Sequence, residues 1–166
     1  MAYGAESPFF PASVETTDGG FIPSDFFLNS KRCGEAGCHP DIYAQWQDSA
    51  HRFSSFNNQW YRRSITYMQE TQDTIETSKW CAGCHDPAVL LTGLWTKPMT
   101  EQMDIPEAQA GLGCTACHSI VHVKNTMGNN GMVYEYPAMH RFADSENPLV
   151  KAIHDFIVRL DPAPHR

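Results

Sequence analysis

Apolar positions recur at helical period in three stretches of the chain. From Pro40, residues Ile42, Tyr43, Trp46, Ala50 and Phe53 fall on one side of a helix, and a proline suits the first turn. A second helix is predicted from near Asn57, with Tyr61, Ile65, Met68 and Ile75 on one face. Leu149, Val150, Ile153, Phe156, Ile157 and Leu160 mark a last amphipathic helix that ends before Pro162. Between these stretches, residues 87–112 are interrupted by Pro and Gly and read as mostly loop. Gly128-Asn129-Asn130-Gly131 is a turn signal, and a short strand is predicted over residues 132–136. The first 32 residues follow neither period. Pro8, Pro11, Pro23 and the Gly19-Gly20 pair interrupt Phe9, Phe10, Phe21, Phe26 and Phe27, which reads as an extended arm whose aromatics pack on something else. The predicted organisation is an arm over 1–32 and one domain over 33–166, mainly α with much irregular structure.

Composition narrows the class. The 166 residues suit one domain, and no apolar run approaches the ~20 residues of a membrane span. Nine Phe, six Tyr and four Trp give the chain much to bury, against general disorder. Twelve Lys and Arg against 19 Asp and Glu give a net charge of −7, which argues against nucleic acid or anionic lipid as the main partner.

The six cysteines and eight histidines carry the chemistry. The cysteines fall as Cys33 and Cys38, Cys81 and Cys84, Cys114 and Cys117, and His39, His85 and His118 follow each pair at once. The second and third groups read C-x-x-C-H, the haem-attachment pattern; the first has four residues between its cysteines. Two thiols add to the two vinyl groups on one porphyrin edge, and the adjacent histidine reaches the iron from one face. Gly34 and Gly37 are expected to give the long spacer the freedom to bulge. Zinc would need a fourth ligand beyond each triplet. Disulfides between residues three apart are strained. The expected cofactors are therefore three haem c groups with iron, supplying much of the core of a small domain. Such haems are attached outside the cytoplasmic membrane, so the chain is expected to be periplasmic or extracellular, its signal peptide removed or lying outside an excerpt.

Five histidines remain for the opposite faces of the irons: His51, His122, His140, His154 and His165. His122 lies four residues after His118, so on a continuing helix both point to one side, and His122 must serve another haem. On one helix His39 and His51 are ~18 Å apart along the axis and cannot sandwich one iron unless that helix breaks. Crossed ligation by His51, His122 and His140 is expected, with His165 well placed on a tail to reach or cover a haem. His154 reads as a solvated helix edge.

The segment C-x₄-C-H-P-D-I-Y-A-Q-W-Q-D-S-A-H over residues 33–51 resembles the C-H…W-x-x-S-x-H signature of multihaem cytochromes related to the tetrahaem cytochrome of nitrifying bacteria. The resemblance continues through H-R-F-S-S-F-N-N-Q-W-Y-R-R-S, C-A-G-C-H-D-P and G-x-x-C-x-x-C-H…H-V, covering residues 33–148. It implies low-potential, bis-histidine haems that pass electrons, with His51 and His122 at distal positions. The chain departs from that family in its long first spacer and in stopping at three motifs. Electron transfer through three close haems is the expected function, within a larger assembly or filament that brings haems of neighbouring subunits together. Redox proteins are the expected partners, with basic ones steered in by the negative charge. The alternative is an oxidoreductase subunit for nitrogen or sulfur oxyanions, which needs one iron with an open sixth position.

Overall fold

The computed structural model describes residues 6–35, 38–126, 128–136, 142 and 145–161, and divides into two units, Met1–Glu135 and Tyr136–Arg166. The first unit runs β1 (Glu15–Thr16), α1 (Ser24–Leu28), α2 (Ser30–Cys33), α3 (Pro40–Gln47), α4 (Gln59–Gln72), α5 (Lys79–His85), α6 (Pro87–Leu90), α7 (Met99–Gln102), α8 (Cys114–His118), β2 (Ile120–Val123) and β3 (Met132–Tyr134). Single 3-10 turns lie at Glu76–Ser78 and Glu107–Gln109. The second unit contains α9 (Pro148–Leu160). The molecule is mainly α with much irregular structure. Among the described residues, no helix is long and apolar enough to cross a membrane.

Each predicted helix forms, with ends set by local chemistry. Pro40 opens α3, but the helix stops at Gln47, short of Ala50 and Phe53. There the Ser49 hydroxyl donates to the Trp46 carbonyl (2.8 Å), a side-chain bond that competes with helix continuation. Asn58 caps α4 by accepting from the amides of Trp60 (2.9 Å) and Tyr61 (3.2 Å). Asp73, in the left-handed region at φ 50°, ends α4, so Ile75 does not share its face as the spacing predicted. Asn147 caps α9 in the same way, and the helix ends at Leu160. His154 is buried rather than a solvated edge, with Nδ1 3.0 Å from Asp155 Oδ1.

The core of the first unit draws on regions without periodicity. Ala88, Val89, Leu90, Leu91, Trp95, Met99 and Ala108 are buried within residues 87–112, where loops were expected. The short helices α6 and α7 form there because tertiary burial overrides the weak local preference of Pro- and Gly-broken sequence. From the first 32 residues, Phe9, Val14, Ile22, Phe26 and Phe27 join the same core, and α1 and α2 replace part of the expected extended arm. β1 pairs in parallel with β3 through Glu15↔Val133 and Thr16↔Tyr134, while β2 pairs antiparallel with β3. The predicted turn closes the β2–β3 hairpin, with Asn130 left-handed at φ 60°. Lys124 ties the arm to this sheet, 2.6 Å from Glu15 Oε1 and donating to the Ser13 carbonyl (2.7 Å).

Candidate haem-attachment sites

The second and third cysteine motifs are single helical turns, at the end of α5 and as the whole of α8. The first is built differently. α2 ends at Cys33, and the spacer folds back so that the Cys38 amide donates to the Glu35 carbonyl (3.0 Å) and the His39 amide to the Cys33 carbonyl (2.9 Å). Gly34 does not serve the bulge through unusual dihedrals, since its φ of −88° suits any residue. It makes room: a Cβ there would lie 2.5 Å from Tyr43 Cγ. Gly37 lies outside the described residues.

The second and third motifs turn the same way. Ala82, Gly83 and Ala116, between the paired cysteines, are buried in the protein. Cys38, Cys84, Cys117, His39, His85 and His118 are exposed, and Cys33, Cys81 and Cys114 are half-buried. No pair is joined as a disulfide. Burial, with the neighbouring Cys114 thiol adding to it, pushes the Cys33 thiol up to about 11. Burial also raises Cys81, Cys84 and Cys117. These surroundings keep thiols protonated, unlike the electropositive sites that stabilise thiolates for metal binding or redox exchange.

Long-range contacts bring the motifs together around the third. The Cys33 and Cys114 thiols are neighbours. Ser30 of α2 accepts from the Cys114 amide (3.2 Å), and Thr115 Oγ1 donates to the Phe26 carbonyl (2.8 Å). On the other side, the Asn130 amide group donates to the Gly83 carbonyl in the second motif and to the Tyr134 hydroxyl (3.1 Å). Burial pushes Tyr134 up to about 12, opposed by its Asn130 bond, and both Cys117 and Cys84 add to the rise. Tyr134 therefore stands between the second and third motifs.

The second motif has the most developed surroundings. His85 Nδ1 lies 2.9 Å from the Ser54 carbonyl oxygen. Donation from Nδ1–H to that carbonyl fixes the tautomer and leaves Nε2 free to bind a metal. The Tyr61 ring stacks on His85, centroids 4.5 Å apart and planes 16° apart. Asp86, fully buried, has its carboxyl raised to about 7 by loss of solvation, opposed by hydrogen bonding from Ser55. Ser55 Oγ bridges Asp86 Oδ1 and the Ala108 carbonyl oxygen. One hydroxyl proton serves one acceptor, so a protonated Asp86 donating to Ser55 satisfies both contacts. Beside the motif lies a cavity of about 530 Å³, bounded by Trp60, Tyr61, Ser64, Ile65 and Met68 of α4 and by Trp80, Cys81, Cys84 and His85.

The expected distal histidines divide into two groups. His51 is exposed; its carbonyl accepts from the Leu112 amide (2.8 Å), which holds it beside the entry to the third motif. Gly111, at φ 67°, allows this approach, because a Cβ would run into the carbonyls of His51 and Arg52. His122 is exposed on β2, opposite Val133. Both helical premises fail: α3 stops before His51, and α8 stops at His118 before a strand. Neither pairing is thereby excluded on grounds of helix geometry. His140 and His165 lie outside the described residues. Asp86, Tyr61 and Tyr134 carry much of the site's geometry and were not singled out as site residues. The Asp-Pro after His85 was the one local signal for Asp86, as a helix-starting dipeptide.

Two thiols followed at once by an exposed imidazole are the attachment unit of a c-type cytochrome. Residues 32–119, just over half of the chain, match the family described as cytochrome c554 and c-prime, and the chain belongs to that family. Comparison with curated proteins and with solved structures found no match. The family implies haem c with iron and haem-based electron transfer, in proteins that are typically extracytoplasmic. The residues fit such a group. One cysteine and the histidine of each motif are exposed, His85 presents a free nitrogen, and Ile42, Trp80, Val121 and Val123 flank the motifs with exposed apolar surface that a macrocycle would cover.

Proposed function

We propose that the chain binds three haem c groups, through Cys33 and Cys38, Cys81 and Cys84, and Cys114 and Cys117, and relays electrons among them. His39, His85 and His118 take the proximal positions, and His51 and His122 take distal ones, with His140 and His165 as further donors. When bound, each haem supplies a one-electron couple at its iron. The protein's part is to hold the imidazoles in one tautomer, cover the porphyrin edges and keep the groups close. The observation that carries this reading is the link of the third motif to the first through the Cys114 amide on Ser30 of α2 (3.2 Å), with Asn130 joining the Gly83 carbonyl of the second motif to Tyr134 of the sheet that follows the third. It supports an order of first, third, second along the electron path.

The proposal extends to a periplasmic or extracellular place and to a role in a larger electron-transfer assembly. Covalent haem attachment supports the compartment, and exposed Leu149, Phe156 and Leu160 on α9 support association. Sedimentation of the haem-loaded chain is expected to show oligomers; a monomer at high concentration removes the assembly. For the central reading, tryptic peptides carrying each cysteine pair are expected to retain haem. Redox titration is expected to resolve three one-electron steps. Ready binding of carbon monoxide or nitrite by one iron would instead make the chain an oxidoreductase subunit.

A further inference from the structure

We infer that Met68 supplies the sixth iron ligand of the haem on the second motif, so that this haem is His/Met rather than bis-histidine. The inference rests on the three-haem reading above. Its ground is the cavity that α5 lines with Cys81, Cys84 and His85 and α4 lines with Tyr61, Ser64, Ile65 and Met68. Among the described lining residues His85 is the one histidine, and it is already the motif's own ligand.

The other donors in the cavity are engaged elsewhere. Cys81 and Cys84 go to the thioether bonds. The Asn58 side-chain oxygen caps α4, accepting from Trp60 and Tyr61, and Ser64 Oγ donates to the Trp60 carbonyl (2.9 Å). Tyr61 is taken up by its stack on the His85 ring, 4.5 Å between centroids, which places it on the proximal imidazole. Met68 remains. It lies two turns beyond Tyr61, ~10.5 Å along the helix, on the same cavity wall but clear of the His85 ring. The two ends of that wall are fixed: Tyr61 by its stack on His85, and neighbouring Gln69 by donation from Nε2 to Ser78 Oγ (2.9 Å) and acceptance from the Met99 amide (2.8 Å). A long, soft thioether on a held helix is a suitable iron ligand, and methionine in place of imidazole raises the reduction potential. One haem of the three would then be the electron sink of the chain.

The test uses the haem-loaded chain with Met68→Leu, Met68→His and, as a control, Met103→Leu. The Met103 sulfur sits 3.6 Å from Arg62 Nη1, outside the cavity lining. The ferric wild type is expected to show the far-red sulfur-to-iron charge-transfer band from one haem. Met68→Leu, a swap of similar volume, is expected to abolish that band and bring in a high-spin ferric signal. Met68→His is expected to keep all irons low-spin and to lower one potential, and Met103→Leu to change nothing. No such band in the wild type, or a band or high-spin signal that Met68→Leu leaves unaltered, overturns the assignment. Haem missing from the peptide with Cys81 and Cys84 would overturn the haem reading itself, and mass spectrometry of that peptide separates the two failures.

Discussion

The first and second motifs carry the same three side chains on different foundations. α5 is a seven-residue helix that buries Ala82 and Gly83 and leads into the wholly buried Asp86, Pro87, Ala88, Val89, Leu90 and Leu91. α3, which follows the first motif, buries none of its residues, and Ile42 on it is 56% exposed. The second motif is positioned by polypeptide packing. The first is placed by Tyr43 against Gly34, by the Cys114 amide on Ser30 of α2 and by the Trp46 indole donating to the Leu112 carbonyl (2.7 Å). It has no buried residue in α3 beneath it, so its order is expected to depend more on the porphyrin it binds. A repeated chemical unit thus need not have a uniform mechanical support.

The largest effect should come from the foundation of the second motif. Phe56 is fully buried, its ring 5.1 Å from Tyr61 and 5.6 Å from Trp95. Phe56→Ala is expected to cost about 3–5 kcal/mol in denaturant unfolding of the first unit. A loss under about 1 kcal/mol would mean that the core does not support that motif. Ser55→Ala comes next, at about 1–3 kcal/mol, because it strips a buried partner from Asp86 and from the Ala108 carbonyl.

Removing haem from one motif at a time sharpens the contrast. Cys33→Ser with Cys38→Ser is expected to speed hydrogen exchange over residues 40–47 at least about tenfold, or ~1.4 kcal/mol of local stability. Cys81→Ser with Cys84→Ser should leave residues 86–91 protected. Equal loss in both segments would erase the distinction between them. The smallest effect is expected at Ile42. Ile42→Ala should change the stability of the haem-free polypeptide by less than about 0.5 kcal/mol, since the side chain is largely exposed. In the haem-loaded chain the same change should cost more, and equality of the two would show that no porphyrin covers α3.

What the sequence discloses depends on the range of the interactions involved. α4 and α9 are legible because their period is long and an asparagine caps each start. The motifs are legible because thiol, thiol and imidazole must share one turn. The core contribution of residues 87–112 is not, since Val89, Leu91 and Met99 are buried by distant partners and follow no period. The burial of Phe9, Phe26 and Phe27 was expected in kind, against something, but α1 and α2 give no cap or period to announce themselves. The bridges through Asn130, Tyr134 and Ser55 join residues 31 to 53 positions apart in the chain or lie at turns whose partners no local pattern names. Inference from helix geometry about His51 and His122 failed for the same reason: it assumed that α3 and α8 continue, and side-chain competition at Ser49 and the start of β2 end them.

Three covalent haems are the central claim, and the intact mass of the purified, denatured chain tests it most directly. Thioether-bound haem survives denaturation, so the mass is expected to exceed the 18.7 kDa polypeptide by three haem masses. An excess of two or fewer, in protein matured where haem attachment is competent, would contradict it, and would do so first at the long-spaced Cys33 and Cys38.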